Sequence, residues 1–206
     1  MMQLLYAPTS PFVRKVMACA HLARLADQIQ WLDSAAHPIR RDARIAKHNP
    51  LAKVPTLTLE NGQSLFDSRT ICEYIAATGQ ASNLFPPNGP ERWRALSLQS
   101  LGDGLMDAAL LARYETVARP AEYQWPEWRA AQLAKVTACL DAIEAEAPAL
   151  HVDSPTIGDV TIGCALGYLD FRFAELQWRE GRPKAAKWNE SFQALPAMAA
   201  TRPHEA

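Results

Sequence analysis

Over its first 78 positions the chain alternates short apolar runs with stretches where apolar residues return every three or four positions; beyond them the short runs disappear. Residues 3–6 and 29–33 read as strands. Between them Ser10 precedes Pro11, a favoured pairing of N-cap and first helical residue, and Val13, Val16, Met17 and Ala20 mark one face of a helix. A basic segment over 39–47 reads as helical and stops before Asn49-Pro50. Residues 56–60, Asn61-Gly62 and 64–67 read as a β-hairpin, because Asn-Gly supplies the positive φ that its turn requires. Ser68, in the N-cap role, opens a helix with Ile71, Tyr74, Ile75 and Thr78 on its apolar face. The order βαβ, α, ββα predicts an α/β unit over 1–78.

Residues 79–90 carry Gly79, Pro86-Pro87, Asn88-Gly89 and Pro90, which break helix and strand alike and read as a linker. From 91 to 206 only helical spacing remains. Leu98, Leu101, Leu105 and Ala108 form one face, and Leu133, Val136, Leu140 and Ile143 another. Thr156-Ile157-Gly158-Asp159 reads as a capping-box variant with Asp at the third position, opening a helix with Val160, Cys164, Gly167 and Phe171 on one side. An all-helical domain of about five helices is expected.

Composition adds little until the chain is divided. With 49% hydrophobic and 21% charged residues and a net charge of −1, the chain is a folded one with no basic field for nucleic acid. Residues 1–78 carry +3, and the remainder −4. No apolar run has the length of a membrane span, and the opening residues lack a basic start, so a cytoplasmic protein is expected. Cys19, Cys72, Cys139 and Cys164 stand singly among apolar neighbours, without metal spacing; no metal is expected and each cysteine reads as a buried small hydrophobe. HExxH, GxxxxGK[ST], GxSxG and a GxGxxG following a strand are all absent.

Four stretches together resemble the glutathione transferase family: residues 9–15 (Thr-Ser-Pro-Phe-Val-Arg-Lys), residues 49–55 (Asn-Pro-Leu-Ala-Lys-Val-Pro), Phe66-Asp67-Ser68, and Thr156 to Asp159. The resemblance covers nearly the whole chain. It implies a thioredoxin-like N-terminal domain with an all-helical C-terminal domain, and the first stretch is similar to bacterial members of the Ser-type and Cys-type branches.

Glutathione is the implied co-substrate, held by Ser10, Phe12, Lys53, Val54, Pro55, Asp67 and Ser68. Ser10 is the implied catalytic residue. A helix N-terminus carries about half a positive charge and free amides, so a thiolate beside Ser10 is stabilised by hydroxyl, amides and dipole together. Lowering a thiol pKa by about two units takes roughly 2.7 kcal/mol, the size of one charge-assisted hydrogen bond plus a helix terminus. An N-cap without a ligand accounts for Ser10 equally well on spacing alone.

By the same resemblance Val54 pairs with the cysteinyl backbone beside a cis Pro55, Ser68 takes the γ-glutamyl carboxylate, and Asp67 its ammonium. Lys53, with the cluster Arg40, Arg41, Arg44 and Lys47, faces the glycine carboxylate. Tyr6 is the alternative thiol-activating residue. Asp103 is the residue implied near the ammonium, and Arg113, Tyr114 and Phe171 are implied in the acceptor pocket; all four have structural readings as well.

A serine cannot form a mixed disulfide, so the expected chemistry is attack by the glutathione thiolate on a small electrophile or peroxide. A homodimer is implied, without nucleic-acid or membrane partners. The rival reading is a glutathione-transferase-like binding or regulatory protein without turnover.

Overall fold

The computed structural model describes residues 1–34 and 36–205. Strand β1 (Met2–Tyr6) pairs in parallel with β2 (Ile29–Asp33), from Met2 opposite Ile29 to Tyr6 opposite Asp33. The crossover between them is α1 (Pro11–Leu22). On its other edge β1 pairs antiparallel with β3 (Thr56–Thr58), which pairs antiparallel with β4 (Ser64–Leu65), giving the order β2-β1-β3-β4. Helix α2 (Ala43–His48) precedes β3, and α3 (Ser68–Thr78) follows β4 and packs on α1.

The expected face of α1 is buried throughout, and so is most of the rest of the helix, because α3 and a short C-terminal helix, α8 (Pro196–Ala199), both pack on it. The buried set includes Arg14, whose guanidinium donates to the Met198 carbonyl at 3.2 Å, and Lys15, which is fully enclosed. The hairpin forms at Asn61-Gly62, with Gly62 at φ +85° and the Asn61 side chain accepting from the Gln63 amide at 3.0 Å. Its strands are shorter than the alternation suggests.

Three local expectations are corrected. The basic segment over 39–47 becomes helical only at Ala43, where the Asp42 carboxylate caps the Arg44 amide at 2.8 Å. On α3, Thr78 is exposed and Tyr74 half-buried, while Cys72 and Ala76 complete the core face beside Ile71 and Ile75. Its N-cap is Asp67 rather than Ser68, which is the first helical residue.

Among the described residues five more helices follow α3: α4 (Pro90–Val117), α5 (Pro126–Glu146), α6 (Ile157–Arg172), α7 (Pro183–Gln193) and α8. The contacts separate two units, Met1–Arg92 with Pro196–Ala206, and Trp93–Leu195. The C-terminal stretch therefore belongs with the sheet, through α8 on α1, and not with the helical unit. In that helical unit, α6 is buried over thirteen consecutive residues from Ile157 to Leu169. The Asp159 carboxylate fixes its start, accepting from the amides of His151 (2.9 Å) and Thr156 (2.8 Å) and from the Thr156 hydroxyl (2.7 Å). Cys19, Cys72 and Cys164 are buried, Cys139 is half-buried, and none of the four is in a disulfide. Among the described residues no helix is long and apolar enough to cross a membrane.

Candidate functional site

Ser10 sits where the loop after β1 turns into α1. Its extended backbone (φ −82°, ψ 121°) and the Pro11 ring, preset for helix, start the helix there. The Ser10 Oγ accepts from the Val13 amide at 3.3 Å, and among the described residues its own O–H donates to no protein acceptor. The cap therefore uses the oxygen and leaves the proton available beside a helix N-terminus. Phe12, half-buried at the second position of α1, has its ring centroid 6.0 Å from the Lys15 ammonium.

The loop leading into β3 is held from inside by Asn49, 2% exposed. Its amide nitrogen donates to the Lys53 carbonyl (3.1 Å) and the Thr56 hydroxyl (3.0 Å), while its Oδ1 accepts from the Leu51 amide at 3.0 Å. The Thr56 hydroxyl in turn donates to the Lys53 carbonyl at 2.8 Å. Ala52 takes a left-handed φ of +52°, and the Val54-Pro55 bond is cis. Lys53 keeps its backbone inside this network and its side chain exposed, with no ion pair among the described residues. Nothing in the hydrophobic pattern marks Asn49 or Thr56; their role depends on a fold of the loop back upon itself.

At the entry to α3 the Phe66-Asp67 peptide is also cis. Asp67 is engaged by Arg69: Oδ1 accepts from the Arg69 amide (2.9 Å) and Nε (3.3 Å), and Oδ2 from a terminal guanidinium nitrogen at 2.9 Å. Partial burial pushes this carboxyl up, but the Arg69 hydrogen bonds, with the charges of Arg69 and Lys15, hold it below the ordinary range. Ser68 is 3% exposed. Its hydroxyl has no hydrogen-bond partner among the described residues. Of the basic cluster, Arg44 is paired with Asp42 and Arg41 donates to the Pro50 carbonyl. The Tyr6 ring lies flat on Trp31, centroids 4.6 Å apart and planes 5° from parallel, and burial pushes its phenol pKa up.

In the helical unit, Asp103 is buried on α4 next to Gly102. Arg113 and Tyr114 lie on the same helix, about 15 Å further along at 1.5 Å per residue. Phe171 is half-buried near the end of α6, with the Arg172 guanidinium 4.0 Å from its ring centroid. The four second-unit candidates thus fall into one residue apart and three near the helix ends. Among the described residues no group of three or more His, Cys, Asp or Glu could hold a metal ion.

Two family models match: "Glutathione S-transferase, N-terminal domain" over residues 9–78 and "Glutathione S-transferase, C-terminal domain" over 126–190. The chain belongs to the glutathione S-transferase family. It is similar over its whole length, at 34% identity, to the "Uncharacterized GST-like protein YibF" of Escherichia coli (strain K12), all of which is covered. A glutathione transferase family member from Pseudomonas fluorescens Pf-5, solved with bound glutathione, is 39% identical. It superposes with a TM-score of 0.93, over 99% of this chain and 100% of that one. A structure from the same organism with bound S-(propanoic acid)-glutathione gives 38% identity and a TM-score of 0.88 over the same shares. The architecture inferred from the sequence, a thioredoxin-like unit joined to a helical one, is that of this glutathione transferase family.

Proposed function

We propose that the protein is a glutathione transferase that binds glutathione on its first unit, holds the thiolate at Ser10 and directs it at a small electrophilic or peroxide substrate. The observation that carries this reading is the Ser10 hydroxyl, capped onto Val13 through its oxygen with its proton left free at the start of α1. Such a proton, with the helix amides, favours a bound thiolate over the thiol. A thiolate is the nucleophilic form, and holding it close to an acceptor supplies most of what conjugation requires.

The remaining contacts follow ligand chemistry. Val54 offers its backbone to the cysteinyl residue beside Pro55, and Phe12 closes the sulfur side. The exposed Lys53 ammonium faces the glycine carboxylate. Ser68, at the first position of α3, takes the γ-glutamyl carboxylate with its hydroxyl and amide, and Asp67 holds the ammonium with the oxygen lone pairs that Arg69 does not use. Asp103, Arg113, Tyr114 and Phe171 are the second unit's contributions to ligand and acceptor recognition. Glutathione bound in one Pseudomonas fluorescens relative, and a carbon thioether of it in another structure from that organism, support this assignment. A cytoplasmic homodimer burying exposed apolar side chains such as Leu51 and Trp93 belongs to the same reading.

Glutathione titration, with thiolate absorbance of the bound ligand followed against pH, tests it in wild type, Ser10→Ala and Tyr6→Phe. The reading expects saturable binding and a depressed thiol pKa that is lost in Ser10→Ala and retained in Tyr6→Phe. No saturable binding at millimolar glutathione sinks the enzyme; an equally depressed pKa in Ser10→Ala removes Ser10 from its role.

A further inference from the structure

The connection from α4 to α5 is fastened from behind by a buried acid. Glu115, 3% exposed, accepts from the Trp125 amide at 2.7 Å and from the Arg119 Nε at 2.9 Å. The Trp125 amide holds its carboxyl below the ordinary range, against burial and with help from Arg119. The Gln124 side chain is a second tie, its amide nitrogen donating to the carbonyls of Thr116 and Arg119, both at 3.2 Å. A buried carboxylate is costly unless its donors are in place, so these bonds hold the loop in one shape.

That shape turns apolar side chains outward. Gln124 is extended (φ −71°, ψ 137°) with its own side chain directed inward, so Tyr123 and Trp125 stand about 6–7 Å apart on the opposite, outer side. They are 68% and 60% exposed, and Val117, the last residue of α4, is 58% exposed. Among the described residues neither ring stacks on another ring or on a cation, and neither the Tyr123 hydroxyl nor the Trp125 indole N–H has a hydrogen-bond partner. Trp93, read above as covered in the homodimer, stands near the other end of α4, about 36 Å from Val117 at 1.5 Å per residue. The tip is therefore a separate surface.

Size and charge narrow the occupant. A whole tyrosine or tryptophan buries about 150–250 Å², so these two leave roughly 200–300 Å² uncovered, well short of the roughly 800 Å² per partner of a stable protein interface. Residues 113–129 carry Arg113, Arg119 and Arg129 against Glu115, Glu122 and Glu127, which leaves no net field for nucleic acid, an anionic bilayer or a charged peptide. A zwitterionic headgroup layer, with phosphate and ammonium side by side, matches equal numbers of both signs. Tyrosine and tryptophan, each with an apolar body and a polar tip, are the side chains that settle at headgroup level.

We propose that this tip is a reversible membrane anchor, with Val117, Tyr123 and Trp125 seated in the headgroup layer of a zwitterionic bilayer. The anchor is independent of the transferase reading and adds a partner that the family resemblance did not imply. Three side chains anchor weakly, with half of the protein bound at about millimolar lipid, since even one myristoyl chain gives only about 10⁴ M⁻¹.

Flotation of the full chain with phosphatidylcholine–phosphatidylethanolamine vesicles tests it, in wild type and in the Tyr123→Ala, Trp125→Ala double variant. Both side chains are exposed, so the variant is expected to keep the wild-type unfolding midpoint. Its partition coefficient is expected to be about tenfold or more below that of wild type. Wild-type binding is expected to change less than about twofold when about a third of the lipid becomes phosphatidylglycerol, or when salt rises from about 0.05 to about 0.5 M. Brominated lipids labelled near the headgroup are expected to quench part of the tryptophan emission of bound wild type, and less of it in bound Trp125→Phe. No binding of wild type at about 10 mM lipid, equal binding of the double variant, equal quenching in Trp125→Phe, or binding confined to phosphatidylglycerol at low salt overturns the proposal. So does self-association of wild type that the double variant loses without vesicles, which gives the surface to a second copy.

Discussion

The amide nitrogen of buried Asn49 lies 3.0 Å from the Thr56 hydroxyl, and both side chains donate to the same Lys53 carbonyl. The loop that presents Lys53, Val54 and Pro55 is thus held by two polar side chains behind it. Asn49→Ala leaves the Lys53 carbonyl and the Leu51 amide each short of a partner, and is expected to cost about 2–3 kcal/mol in urea unfolding. Thr56→Val, which removes one hydroxyl and keeps the shape, is expected to cost about 1 kcal/mol. If the loop geometry serves glutathione, KM for glutathione rises in Asn49→Ala even where the protein is fully folded. An unchanged unfolding midpoint for Asn49→Ala contradicts the role given to its hydrogen bonds.

The Asp67 carboxyl, held low by Arg69 and Lys15 against the opposing effect of burial, links stability to acid pH. A carboxyl depressed in the folded state stabilises fully above its unfolded value, about 3.9, and that contribution drains away as pH falls through the folded value. Asp67→Asn keeps a capping oxygen but cannot titrate. Urea midpoints measured from about pH 6 down to about pH 3 are expected to fall more steeply in wild type than in Asp67→Asn. Parallel curves would show that Asp67 contributes no such linkage.

Asp159 is fully buried and satisfies three donors at the start of α6. Asp159→Ala removes all three acceptor contacts from inside the helical unit, and a loss of about 3 kcal/mol or more is expected, with low recovery of folded protein. A loss under about 1 kcal/mol would mean that water replaces the carboxylate readily.

Gly102 and Gly104 give opposite expectations on one helix. Alanine at Gly102 places a methyl 2.8 Å from the Thr161 side chain and 3.1 Å from its carbonyl carbon, so α4 and α6 must separate; about 1–3 kcal/mol of overpacking outweighs the gain in helix propensity. At Gly104 nothing lies within 4 Å of the added methyl, and Ala is expected to stabilise by about 0.5–1 kcal/mol. Thermal midpoints of the two variants should therefore move in opposite directions.

What was legible in the sequence is what closes over a few residues. Ser10-Pro11, Asn61-Gly62 and the Thr156 to Asp159 box each satisfy backbone groups within their own turn, so residue type and spacing determine them, and each appears where expected. The entry to α3 shows the limit of such reading. Asp67 and Ser68 are both good caps, and Asp67 takes the position because its carboxylate also binds the Arg69 guanidinium. The extent of α2 escapes local reading for a similar reason: basic residues carry helix propensity, but the helix begins only where the Asp42 carboxylate caps it.

By itself the sequence determined the alternation of strands and helices, the change to an all-helical pattern, and the motifs that resemble the family, because these are written in local periodicity and local hydrogen-bonding capacity. The tertiary structure decided that Lys15 is enclosed while Lys53 is exposed, that Asn49 and Thr56 fasten one loop, and that Gly102 lies close against Thr161. Each of these depends on contacts between residues distant along the chain. A lysine's burial is set by what packs over it, and the spacing of α4 and α6 by how closely Gly102 lets α4 approach Thr161.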